Sequence, residues 1–174
     1  YAQGETIKHP MGFDIKIDTP LDFMGVTDPS EYVGVTREAN IPGSYVSKLP
    51  EAQPMIMKDP NSSEEQNKVF SYLLKLAASP PVKAFMDPKV TASVWRVNVR
   101  IADEANEPGK FTAFCSYEWT SMPGNRNMHR NVFFRACEHV PDYPFSALDS
   151  AKPTELWNWM DAQRKSGNEL LAIS

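Results

Sequence analysis

Proline constrains this chain more than any other feature. Fifteen of its 174 residues are proline. Each ring fixes φ and removes a backbone donor, which ends helices and bars the residue from a central strand. Ten of them, at 50, 54, 60, 80, 81, 88, 108, 141, 144 and 153, fall where one pattern gives way to another. The expected architecture is therefore many short elements joined by stiff loops. One stretch stands out between these breaks: Phe111 to Phe134, FTAFCSYEWTSMPGNRNMHRNVFF. An apolar, aromatic run leads into a loop with Pro123 and Gly124, and a second apolar run leads out. Glu118 stands at the loop's entry and His129 at its exit.

Length and composition bound the rest. The chain is long enough for one domain with a real core over residues 1–174, and 41% hydrophobic with 23% charged residues is ordinary for a globular protein. A net charge of -4 with no basic cluster argues against a nucleic-acid surface. No apolar run approaches the ~18 residues of a membrane span. The first residues, YAQGETIKHP, carry no signal-peptide pattern, and both ends read as cuts through a longer protein. Nothing names a compartment. Cys115 and Cys137 form neither a disulfide framework nor a Cys-x-x-Cys pair, so two buried or half-buried thiols are expected.

Periodicity places the elements. GFDIKIDTP alternates Phe13, Ile15 and Ile17 against Asp14, Lys16 and Asp18, a half-exposed strand. Leu21 to Val26 is a continuous apolar run ending in Thr27 and Asp28, the pattern of a strand buried in a parallel sheet. Asp28, Pro29, Ser30 and Glu31 then fall beyond a strand's C-terminal end, where α/β folds place ligands. Residues 32–60 read as a long irregular stretch, usually functional or a lid. Ser62 and Glu65 read as a capping box opening a helix with Val69, Phe70, Leu73, Leu74 and Ala77 on its apolar spacing, which Ser79-Pro80-Pro81 stops. Ala92 to Asn106 fits either period and is assigned to a helix. Phe111–Tyr117 and Asn131–Arg135 are assigned to strands, with one possible hairpin around 119–130. A helix lies between Lys152 and Gly167, and a last strand begins at Leu170 to Ile173. Strands interleaved with helices predict an α/β fold, mainly parallel.

Three segments in order, PLDFMGVTDPSEYVG (20–34), EANEPGKFTAFCSYEWTSMPGNRNMHRNVFF (104–134) and PFSALDSAKPTELWNWMD (144–161), resemble the bacterial domain-of-unknown-function family 3604. That family is similar to the polymerase-and-histidinol-phosphatase (PHP) group of metal-dependent hydrolases. The resemblance implies part of a distorted α/β barrel, incomplete at both ends. It also implies two or three divalent ions (Zn, Mn or Fe) held by His, Asp and Glu at the C-terminal rim, activating water against a phosphoester. By position, the Glu of the third motif matches Glu118 and the His of the HRN segment matches His129. Where relatives read Thr-Asp-His, this chain has Thr27-Asp28-Pro29, and Pro29 offers no donor. No His-x-His pair is present.

Metal-assisted hydrolysis needs several hard or borderline donors at one point with a position left for water. Glu118, His129 and Asp28 are the candidate catalytic and metal-ligating residues, with Glu31 a weaker one. Arg126, Arg130 and Asn127, with Asn125, are candidates for an anionic substrate oxygen. Pairing of Glu118 with an arginine of the loop, a backbone-bonded His129 and an Asp28 that caps a turn explain these residues without chemistry. A two-metal centre wants about five ligands or more, so the chain is expected to lack a complete site and to be inactive alone. Homo-oligomers that cover open sheet edges are the expected assembly, and a small phosphorylated molecule the expected substrate. The rival expectation is a non-catalytic α/β module that self-associates or binds a ligand.

Overall fold

The computed structural model describes residues 1–9 and 11–174, and the side chains of Pro88 and Asn125 lie outside the description, including the anion-binding expectation for Asn125. Two strands near the start, β1 (Ile7–Lys8) and β2 (Asp14–Ile15), form an antiparallel hairpin of their own. The main sheet holds β3 (Phe23–Gly25), β4 (Thr112–Ser121), β5 (Met128–Phe134) and β6 (Leu170–Ile173), in the order β3-β4-β5-β6. Four helices accompany them: α1 (Val35–Ala39), α2 (Ser63–Ala77), α3 (Pro88–Ala105) and α4 (Pro153–Lys165).

This topology overturns the expected barrel. The sheet is open and mixed, α+β in character: only β3 and β4 run parallel, while β4–β5 and β5–β6 are antiparallel. The reason lies in the loops. Six residues, 122–127, separate β4 from β5, and a parallel return needs a crossover of a dozen residues or more. The short turn at Pro123–Asn125 can therefore only make a hairpin, whose ladder runs from Cys115↔Phe134 to Ser121↔Met128.

Side-chain alternation assigns the two faces of the sheet. Cys115, Tyr117, Trp119 and Ser121 of β4, with Val132 and Phe134 of β5, are buried beneath α3 and α4. Trp95 of α3 and Leu156 and Met160 of α4 complete this core. Each fully buried large side chain contributes about 1.5–3 kcal/mol, and the indole N–H groups are not wasted: Trp95 donates to the Pro141 carbonyl at 2.7 Å and Trp119 to that of Ser150 at 3.2 Å. The other face presents Phe114, Ser116, Glu118, Thr120, His129 and Phe133, none of which belongs to the two buried core clusters.

The 32–60 stretch is not an irregular lid. Gly34 and Tyr32 turn the chain into α1, two short 3-10 turns follow at Val46–Lys48 and Pro50–Met55, and these pack with α2 around Val35, Val46, Met55 and Phe85, a second core. Asn40 holds it together by donating to the carbonyls of Thr36 and Met55, both at 2.8 Å, and accepting from the Met57 amide at 2.7 Å. The capping box is half formed. Ser62 accepts from the Glu65 amide, but the Glu65 carboxylate reaches back to the amides of Lys58 and Asp59 instead.

The cysteines also depart from expectation. Cys115 and Cys137 form a disulfide with a Cα–Cα distance of 5.6 Å. Cys115 points from β4 into the core, and the chain leaving β5 turns beneath it, which brings together two residues 22 apart in sequence.

Candidate functional site

Period two sets the site. Glu118 and Thr120 lie two apart on β4, and His129 is the register partner of Thr120 on β5, so all three share that other face. Glu118 Oε1 lies 3.1 Å from His129 Nδ1. The Thr120 hydroxyl donates to Glu118 Oε2 at 2.7 Å and lies 3.0 Å from His129 Nδ1. One proton arrangement satisfies all three groups: Thr120 gives its hydrogen to Oε2, and an Nδ1–H is shared between Oε1 and the Thr120 oxygen. His129 Nε2 is then the acceptor left for another molecule. The Glu118 side chain is 20% exposed and that of His129 43%, so the pair meets solvent through the imidazole. Asn131 is the register partner of Glu118, and its Oδ1 is buried with no hydrogen-bond partner among the described residues.

The other expected residues divide. Among the described residues Asp28 meets Glu118 through the backbone, where the Glu118 amide donates to the Asp28 carbonyl at 2.9 Å. Pro29 forms a parallel bridge with Glu118 and so shares its face, while Asp28 falls on the opposite one, beside a cavity next to α3. Asp28 is therefore not brought to Glu118 and His129. Arg130 is the register partner of Trp119, on the face away from His129, and its guanidinium folds back on the His129 carbonyl at 2.6 Å. Arg126 and Asn127 are exposed at the hairpin tip, outside the hydrogen bonds that hold the cluster.

Glu31 anchors its neighbours through one carboxylate oxygen, while its Oε2 is buried with no hydrogen-bond partner among the described residues. Its Oε1 accepts from the amides of Ala147 at 2.7 Å and Thr120 at 3.1 Å and from the Ser30 hydroxyl at 3.3 Å. It thereby pins the turn after β3 and the loop before α4 to the strand carrying Glu118. Burial raises its pKa, and the backbone donors of Ala147 and Thr120 oppose that rise. Burial likewise pushes the Tyr117 hydroxyl well above the tyrosine range, with the charges of Glu31 and Asp149 adding to it. Thr120 went unnoticed in the sequence, although its position two residues after Glu118 on a strand was a usable signal. The Glu31 contacts span 89 and 116 residues and had no local signature.

The donor set falls short of a full metal shell. Among the described residues no group of three or more His, Cys, Asp and Glu side chains converges. With His129 Nδ1 turned onto its carboxylate, Glu118 could offer an oxygen to a divalent ion, with the orphaned Asn131 oxygen beside it, but Pro29 fills the neighbouring position on that face. No described helix is long and apolar enough to cross a membrane.

No curated protein and no solved structure matches this chain. The family described as Protein of unknown function (DUF3604) matches it from residue 1 to residue 174. The chain belongs to that family.

Proposed function

We propose that this chain supplies part of the reaction centre of a metal-dependent hydrolase acting on a phosphoester, as similarity to the PHP group implies, and that it does not complete a metal site with its own side chains. The contact between Glu118 and His129 at 3.1 Å on one sheet face carries the reading. A divalent ion would supply a bound water of lowered pKa there. The chain's own contribution is positional. Glu118 and Thr120 fix the ring of His129, leaving Nε2 free to take a proton from an attacking water or return one to a leaving oxygen. Arg126, at the exposed tip, is the cation nearest in sequence that is not already turned onto a carbonyl, and a phosphoryl oxygen is a partner for it.

The position of Pro29 makes the reading testable. Pro29 adjoins Glu118 on the shared face, so Pro29→His adds an imidazole beside the two donors present. Zn²⁺ and Mn²⁺ binding is measured by calorimetry on the wild type, Pro29→His and Glu118→Ala, each checked for intact folding, with hydrolysis of p-nitrophenyl phosphate in parallel. Weak Zn²⁺ binding that tightens at least tenfold in Pro29→His and vanishes in Glu118→Ala is the expected result. If neither substitution alters metal binding, the assignment of this face is wrong. The non-catalytic alternative rests on a different observation, the exposed apolar side chains of β3 and β6, and gains if all three proteins bind no metal.

A further inference from the structure

The run Leu21 to Val26 has the composition of a strand buried on both faces, yet in the fold it is an edge. Leu21 is 48% exposed, Phe23 64%, Met24 39% and Val26 57%. Its backbone is also half unused. The carbonyls of Asp22 and Asp28 accept from the Thr112 and Glu118 amides, so the even-numbered residues face β4. Leu21 turns its N–H outward to the Ala2 carbonyl at 2.8 Å, so the first residues of the chain take the start of this edge. By alternation the N–H and C=O groups of Phe23, Gly25 and Thr27 also face outward, and among the described residues no strand pairs with them. Such a row is a template for one further strand. Beside it lies a cavity of about 530 Å³ between β3 and the C-terminal half of α3, lined by Met24, Val26, Ile101, Ala105 and Phe111 among others.

Charge selects the occupant. Glu5, Asp28, Glu104 and Glu107 line this cavity and no lysine or arginine does. Glu107 pairs with Lys110 and Glu104 lies 4.0 Å from Arg100, whereas Glu5 and Asp28, with Asp22 at the strand's start, form no ion pair among the described residues. The edge is thus acidic at both ends and apolar between.

We propose that the outer edge of β3 is a strand-acceptor site that binds an extended apolar segment of another polypeptide, carrying Lys or Arg at its ends. The segment adds main-chain hydrogen bonds to Phe23, Gly25 and Thr27. Its alternate side chains cover Met24 and Val26 on one face and Phe23 on the other, and its terminal cations meet Asp22 and Asp28.

Two fluorescein-labelled peptides test this, each with a core of alternating Val and Thr, one flanked by two lysines at each end and the other by two glutamates. Fluorescence polarisation with the whole chain should show saturable binding of the lysine-flanked peptide, at least tenfold weaker binding of the other, and loss of the difference at high salt. Thr27→Pro removes one outward N–H without touching the β4 ladder and should weaken binding about tenfold. Asp28→Lys leaves the backbone alone and should reverse or abolish the preference between the peptides, which keeps the test valid if the proline variant misfolds. Equal binding of both peptides, no binding of either, or a preference unchanged by Asp28→Lys overturns the proposal. So does a dimer in sedimentation that Thr27→Pro dissolves, since the edge would then be taken by a second copy.

Discussion

The disulfide offers the sharpest quantitative test. Breaking Cys115–Cys137 frees a loop whose ends lie 22 residues apart and which contains the whole hairpin with Glu118, Thr120 and His129. The chain-entropy relation for a loop of that length gives roughly 11 cal/mol/K, or about 3.4 kcal/mol at 25 °C. In a chain of this size about 2–4 °C of midpoint follows each kcal/mol, so reduction should lower the thermal midpoint by about 7–14 °C. Cys137→Ala is the cleaner perturbation. Cys115 is only 1% exposed, so truncating it would add a cavity to the lost cross-link. A buried free thiol at Cys115 is tolerated as a small apolar group. The assay is thermal unfolding followed by tryptophan fluorescence, for the oxidised chain, the chain in a phosphine reductant, and Cys137→Ala in both conditions. The oxidised wild type should stand apart, the reduced wild type and the variant should nearly coincide, and reductant should not move the variant. Two titratable thiols in the unreduced, denatured protein would refute the bridge itself. An oxidised and a reduced chain unfolding within about 1 °C of each other would refute the loop argument.

Two further outcomes follow from single contacts. Gly34 has φ +79°, and a Cβ there would lie 2.1 Å from Val94 Cγ2, so Gly34→Ala forces α1 from α3 and should cost about 2–4 kcal/mol in urea unfolding; a cost under about 1 kcal/mol would mean that Val94 yields freely. Glu31 has a raised pKa from burial, so the folded state holds its proton where the unfolded chain has released it. Stability from this group is present at low pH and is lost as pH rises from the ordinary glutamate range through the raised folded value. Glu31→Gln, uncharged throughout, should flatten the fall of urea midpoint with pH over that window, and an unchanged slope would show that Glu31 does not titrate in the folded chain.

Elements defined by local rules were legible in the sequence. Ser62 does cap α2, Pro88 opens the helix that the ambiguous Ala92–Asn106 segment joins, and Pro153 opens α4. The strands expected at Phe111–Tyr117, Asn131–Arg135 and Leu170–Ile173 are present as Thr112–Ser121, Met128–Phe134 and Leu170–Ile173. The rest is decided by contacts distant in sequence. Whether a strand pairs parallel depends on which neighbour it finds: the hairpin expected around 119–130 is present, and its antiparallel ladder is what the expected barrel does not accommodate. The 32–60 stretch has too many breaks to show a period, yet its short turns each bury one or two side chains against α2. The disulfide needed the path of the chain after β5, which no spacing encodes.

The site was legible in part for the same reason. Glu118 and His129 each stand at the mouth of a strand, and a tight hairpin brings two such mouths together without help from the rest of the fold. Asp28 also stands at a strand's mouth, but adjacency along the sheet is not enough to join the pair: a strand offers its residues to two faces in turn, and the pairing of Pro29 with Glu118 sends Asp28 to the other one. The face that holds Glu118 thus receives a residue with no donor atom from β3, and the carboxylate of Asp28 is left beside the acidic cavity at α3. One bridge in the ladder therefore separates two properties of this chain. It keeps the Asp28 carboxylate off the face that holds Glu118 and His129, and it sets that charge at the end of an apolar strand edge that pairs with no further strand among the described residues.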